Sequence, residues 1–190
     1  MSAPRPVVTV AMPTRNGEAW LAEAIESVLA QTMADFELLV IDNVSTDSTP
    51  QVVARYAGDP RVVYRLNERN IGFAGSVNRA CLEARGEAIL FIGSDDRLHP
   101  RLLEAGMAFL RAHPDAAMVH GPAYWIDDDG RRFGGTGQAW PPVTPGPQAM
   151  VQAFEAGFCL TTMLMRVDRI RASGPFDESW QEVVDLWLFM

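Results

Sequence analysis

Two apolar rhythms alternate along the first half of the chain. Val7 to Met12 is a short, β-branched apolar run closed by Pro13, the pattern of a strand buried on both faces. After the turn Thr14-Arg15-Asn16-Gly17, apolar positions recur at Trp20, Leu21, Ala24, Ile25, Val28 and Leu29. That spacing predicts a helix with one buried stripe. Phe36 to Ile41 reads as a second strand, with Thr49 as N-cap and Pro50 as first residue of the helix that follows. Val62 to Leu66 predicts a third strand, Phe73 to Ala84 a third helix and Ala88 to Ile92 a fourth strand. Strands alternating with helices of this length imply an α/β fold, a mostly parallel central sheet with helices on both faces. Such sheets bind ligands beyond the carboxyl ends of their strands.

The second half is less regular. Leu102 to Ala112 predicts a helix and Ala117 to Trp125 a strand. Asp127-Asp128-Asp129-Gly130 is a turn signal, expected to lead a hairpin on to Arg132 and Phe133. Gly134 to Pro147 is rich in Gly and Pro and reads as a loop, and Leu160 to Met165 as another strand. From Trp180 the pattern is helical and stops at Met190 inside an apolar run, as in a chain truncated in its second half.

Composition narrows the function. At 190 residues the chain is expected to form a single domain, 1–97 holding one ligand-binding half and 98–190 another. A net charge of −8 argues against a nucleic-acid partner, which needs basic patches. All sixteen cations are Arg, so Schiff-base, pyridoxal-phosphate and P-loop chemistry, each of which needs Lys, is excluded. Cys81 and Cys159 form no Cys-x-x-Cys pair, which suits a reducing cytoplasm better than a disulfide scaffold or zinc site. No signal peptide is legible at the N-terminus, and no apolar run nears the roughly 20 residues of a membrane span.

Polar residues gather where the strands end. Strand one leads to Thr14, Arg15 and Asn16, and strand two to Asp42, Asn43 and Ser45. Strand three leads to Asn67, Asn70 and Gly72, and strand four to Ser94, Asp95 and Asp96. A parallel sheet delivers all four groups to one crevice, with acceptors for a base and ribose and paired carboxylates for a hard divalent cation. Each group alone has a bland reading, since Asp pairs commonly cap helices; four together favour a site. A Gly-x-Gly-x-x-Gly after strand one is absent, which disfavours a dinucleotide.

Pro13-x-x-Asn16, Gln31-Thr32 and Asp42-Asn43-Val44-Ser45-Thr46-Asp47 together resemble the opening of the family 2 glycosyltransferases. Asn70-Ile71-Gly72-Phe73-Ala74-Gly75 with Asn78, then Ser94-Asp95-Asp96 and Pro100, continue the resemblance in order. Gly174-Pro175-Phe176-Asp177-Glu178 resembles the segment before the family's catalytic acid. The resemblance implies a GT-A fold, a nucleotide-sugar donor, a divalent metal (Mg2+ or Mn2+) and inversion at the anomeric carbon. It implies that Asp96 holds the metal, that Asp95 leans to the ribose, and that Asp42 and Asn43 read the nucleobase edge. Pro13, Arg15, Asn16, Ser45, Asn70, Gly72 and Asn78 complete the implied donor site; Arg15 stands where many relatives carry an aromatic residue. The general base falls on Asp185 by ungapped counting from Phe176; a shifted frame makes Glu182 the acidic partner and puts Val183 where the base would stand. A saccharide or lipid-linked acceptor is implied, with peripheral membrane contact compatible. Two rival readings stay open: a sugar-phosphate nucleotidyltransferase, and a donor-binding scaffold domain without turnover.

Overall fold

Every residue of β1 (Val8–Thr14) and β2 (Phe36–Asp42) is buried, as strands covered on both faces require. They belong to a computed structural model that describes residues 5–136, 143–146, 148–149 and 160–179. β1 pairs in parallel with β2 on one side and with β4 (Ala88–Phe91) on the other, and β3 (Val62–Leu66) pairs in parallel with β2. β8 (Met163–Arg166) lies antiparallel between β4 and β5 (Met118–His120). The six-stranded order is β3-β2-β1-β4-β8-β5, and β6 (Tyr124–Ile126) with β7 (Arg132–Gly135) forms a separate hairpin.

Alternation of side chains splits the core into two layers. Val8, Val10 and Met12 of β1, Leu38 and Val40 of β2 and Leu90 of β4 point to one face. There they meet α1 (Leu21–Leu29), α2 (Thr49–Ala54) and α4 (Leu102–Ala112) through Ile25, Val52 and Leu103. Ala11, Leu39, Ile41, Ile89 and Phe91 point the other way, onto α3 (Gly72–Glu83) and α5 (Val167–Ala172). Each fully buried Leu, Ile or Phe contributes roughly 1.5–3 kcal/mol of transfer free energy. Two arginines finish the helices. Arg166 donates to the carbonyl of Leu110 in the last turn of α4 and to that of Ala116 in the loop beyond it, and Arg171 to those of Cys81, Leu82 and Ala84 at the end of α3. Both place a cation at the negative end of a helix.

Pro13 does not close β1 but lies within it, opposite Ile41. Odd-numbered residues of β1 face β4, where the Ala11 carbonyl accepts from Ile92 N–H at 2.9 Å. Pro13 faces the same side beyond Phe91, the last residue of β4, so its missing N–H breaks no ladder bond. The expected strand from Ala117 to Trp125 is two strands, β5 and β6, parted at Gly121-Pro122. Leu160 to Thr162 is a 3-10 turn, and the strand starts only at Met163. Thr49 is the first residue of α2 and not its cap; Asp47 Oδ1 accepts the Thr49 N–H at 3.0 Å instead.

Candidate functional site

The four polar groups do meet along the carboxyl edge, and hydrogen bonds join them in series. Asn16, at φ 54° in the left-handed region that Asn tolerates, donates its N–H to Ser45 Oγ. Its Oδ1 accepts from Thr46 N–H at 2.8 Å. Gly17 N–H donates to the buried Thr49 Oγ1 at 2.9 Å, and Ser48 N–H donates to Glu18 Oε2 at 2.8 Å. Two amides, those of Glu18 and Thr49, donate to Asp47. Burial opposes the charge on Asp47, yet the donors around it, the Thr49 side chain and those amides, hold its carboxyl below the ordinary value. Val44 sits between these contacts at φ 60°, a strained setting for a β-branched residue that marks a constrained loop. Gly17 also lets the first and fourth loops touch. A Cβ there would stand 2.7 Å from Thr14 Oγ1 and 2.9 Å from Ser94 Oγ. Among the described residues Thr14 Oγ1 has no hydrogen-bond partner although it is buried, as donors reserved for a ligand or water are.

Asp42 and Asn43 are both buried. Asp42 Oδ1 accepts from Ser45 N–H, and its Oδ2 accepts from the Tyr64 hydroxyl at 2.6 Å. Burial and the Asp42 carboxylate both push the Tyr64 phenol well above its usual value, so the hydroxyl stays a donor. The Asn43 amide donates to Asn70 Oδ1 and to the Gly72 carbonyl, while its Oδ1 accepts from Asn67 and from Ile71 N–H. Two donors and two acceptor positions are thus engaged within the protein, the full capacity of the group. Asn43 shapes the Asn67–Gly72 loop through its side chain. Arg15 and Asn70 are exposed at the rim.

The acidic loop closes the other end of the crevice. A Cβ on Gly93 would lie 2.7 Å from Asp95 Oδ1 and 2.9 Å from Asp96 Oδ2, so both oxygens converge within 3 Å of one point that only glycine leaves open. Thr161 donates to Asp96 Oδ2 at 2.6 Å, a contact that no local sequence signal announces. Beside this loop is a cavity of about 210 Å3 lined by Trp20, Glu23, Asp95, Asp96, Arg97, Ile126, Asp127 and Asp128. The hairpin turn therefore faces the acidic loop, and Arg97 is ion-paired to Glu23 in its wall. Among the described residues no three His, Cys, Asp or Glu side chains gather as a ready-made cation cage. One or two carboxylates suffice where a ligand's phosphates and waters complete the shell, as for Mg2+. Asp95 and Asp96 fit that arrangement.

Asn78 is engaged within the protein. Its amide pairs with both backbone groups of Phe176, donating to the carbonyl at 2.9 Å and accepting the N–H at 2.7 Å. It clasps the segment at Gly174–Glu178 onto α3. Asp185, Glu182, Trp180 and Cys159 lie outside the described residues. Among the described residues no helix is long and apolar enough to cross a membrane.

Known proteins share this plan. The family model described as "Glycosyl transferase family 2" matches residues 9–170. EpsE of Bacillus subtilis (strain 168), named as a candidate glycosyltransferase, is 33% identical over 189 residues, covering 96% of this chain and 66% of EpsE. The chondroitin synthase of Escherichia coli is 31% identical over 137 residues, 72% of this chain and 20% of that protein. Among solved structures, S. aureus TarS 1-349 superposes with a TM-score of 0.77 at 24% identity, covering 96% of this chain and 55% of that one. A mannosyltransferase from Pyrobaculum calidifontis, in complex with GDP-Man and Mn2+, gives a TM-score of 0.67 at 21% identity, covering 92% of this chain and 48% of that one. The sheet order and layers are those of the GT-A fold. This chain spans only part of each relative's length.

Proposed function

The chain belongs to the glycosyl transferase family 2, and on that premise we propose that it serves metal-assisted, inverting transfer of a sugar from a nucleoside diphosphate to an acceptor hydroxyl. The observation that carries this reading is the placing of the Asp95 and Asp96 carboxylates side by side at Gly93, where β4 ends. Asp96 is the metal-holding residue, with Oδ1 available while Oδ2 is engaged by Thr161. A divalent cation, Mg2+ or Mn2+, held there supplies charge neutralisation to a departing diphosphate. Asp95, exposed at the rim, turns to the ribose. Pro13, Arg15, Asn16, Asp42, Asn43, Ser45, Asn70 and Gly72 build the nucleoside end, Asn43 by holding the Asn67–Gly72 loop and Arg15 as an exposed cation near the phosphates. Asn78 serves the donor side indirectly, by fixing the segment at Phe176.

Asp185 takes the proton of the acceptor hydroxyl as its oxygen bonds to the anomeric carbon, and the carbon–phosphate oxygen bond breaks with its electron pair going to the diphosphate. One displacement inverts the carbon. Glu182, three residues earlier in the sequence, is the alternative base. TarS has been crystallised with UDP and with UDP-GlcNAc, and the mannosyltransferase with GDP-Man, which makes uridine and guanosine nucleotide sugars the first donors to try. The acceptor is a saccharide or a lipid-linked saccharide.

The test is turnover of a panel of nucleotide sugars by the full chain, with and without Mn2+. Mn2+-dependent release of nucleoside diphosphate, lost in Asp96→Asn, supports the proposal. Release of pyrophosphate from a nucleoside triphosphate and a sugar phosphate would instead identify a nucleotidyltransferase. Binding without any turnover would identify a scaffold domain.

A further inference from the structure

We propose that Thr161 is a positioning residue that aims Asp96 at the cation. The inference rests on the metal-assisted reading above. Thr161 lies 65 residues beyond Asp96 in the chain, yet its hydroxyl donates to Asp96 Oδ2 at 2.6 Å. That is the short range of a hydroxyl bonded to a charged carboxylate. Gly93 N–H donates to the same oxygen at 3.3 Å. Two donors therefore claim Oδ2 and leave Oδ1 as the oxygen free to take a cation. The contact is built by the sheet. β8 runs antiparallel to β4, with Leu164 opposite Leu90 and Met165 opposite Ile89. The turn that precedes β8 thus comes to lie beside the loop that leaves β4. Met163, Leu164 and Met165 are buried, so the turn is anchored and Thr161 reaches the carboxylate from a fixed base.

Holding one oxygen removes rotational freedom that Asp96 would otherwise lose on meeting the cation. Partners of this kind, one step removed from a metal, typically change its affinity 10- to 100-fold when removed. The contact also ties the 98–190 half of the chain to the loop that leaves β4, because Thr161 belongs to the former and Asp96 to the latter.

Mn2+ is titrated into the full chain in the presence of UDP, and separately of GDP, and its binding is read directly by calorimetry. Thr161→Val, which keeps the shape and loses the hydroxyl, is expected to weaken Mn2+ binding at least about 10-fold. Thr161→Ser, which keeps the hydroxyl, is expected to stay within about 2-fold, and metal-free binding of the same diphosphate is expected to be unchanged in both. Thr161→Ala repeats the loss without added bulk should the Val variant melt early. Parental Mn2+ affinity in Thr161→Val and Thr161→Ala would overturn the proposal and leave the metal reading standing. A parent that takes up no Mn2+ with either diphosphate would overturn both.

Discussion

Asn43 and Asn70 are joined amide to amide: Nδ2 of Asn43 donates to Oδ1 of Asn70 at 2.7 Å, and that same oxygen accepts the N–H of Gly72. One side chain at the end of β2 thereby sets the path of the chain between β3 and α3. An aspartate at position 43 could not do this, because an ionised carboxylate only accepts.

Asn43→Asp is accordingly expected to set a carboxylate against Asn70 Oδ1 and the Gly72 carbonyl, both acceptors. Leaving such groups unpaired costs about 1–3 kcal/mol, to be read as a lower urea midpoint. Affinities for uridine, thymidine and guanosine diphosphates should fall by similar factors, since Asn43 acts through the loop. A changed ranking among the three would show that residue 43 touches the base itself.

Gly93→Ala tests the carboxylate pair without altering either acid. The added Cβ would strike Asp95 Oδ1 and Asp96 Oδ2, forcing both side chains to turn. Mn2+-dependent diphosphate binding should fall about 10-fold or more. Asp95 is exposed and Asp96 half-buried, so the melting temperature should move little. Parental metal affinity in this variant would count against a shared site.

Asp185→Asn keeps shape and removes a proton acceptor. A roughly 10²- to 10⁴-fold drop in transfer rate is expected, with donor affinity nearly unchanged. Glu182→Gln is expected to be almost silent. The reverse pattern would move the base to Glu182, and two silent variants would favour the scaffold reading; both must melt like the parent before rates are compared.

Glu83 supplies a pH test. Burial opposes its charge, but hydrogen bonds from Arg79 at 2.7 Å and Arg65 at 2.9 Å outweigh it and hold the carboxyl below its ordinary 4.5. The folded value lies below the unfolded one, so the stabilisation is complete above about pH 4.5 and fades as pH falls through the folded value. Glu83→Gln should cost under about 1 kcal/mol at pH 7, because these groups are partly exposed. The gap between variant and parent should close in acid. A gap that widened there would contradict the sign.

The parallel half of the fold was legible because β1, β2 and β4 are buried on both faces and leave largely apolar runs, such as Leu38 to Ile41. The strand-end positions of Asn16, Asp42 and Asp96 followed from it. What those side chains touch did not follow. Local pattern carries no register for an antiparallel strand added late, so Thr161 could not be placed beside Asp96. Nor does an asparagine's spelling distinguish one aimed at a ligand from Asn43, whose amide is spent on its neighbours. The split between β5 and β6 was readable in Pro122, which cannot donate to a ladder, but the apolar run around it outweighed that signal.

The insertion of β8 between β4 and β5 has a consequence on the ribosome. β4 is complete at Phe91, but its second neighbour is not synthesised until Arg166, about 75 residues later. At translation rates of about 5–20 residues per second, that interval lasts roughly 4 to 15 s. Throughout it, the wholly apolar segment Ala88–Phe91 shows one unpaired flank to solvent, an invitation to pair with another nascent chain. Synthesis that stalled within this window would leave the flank sticky.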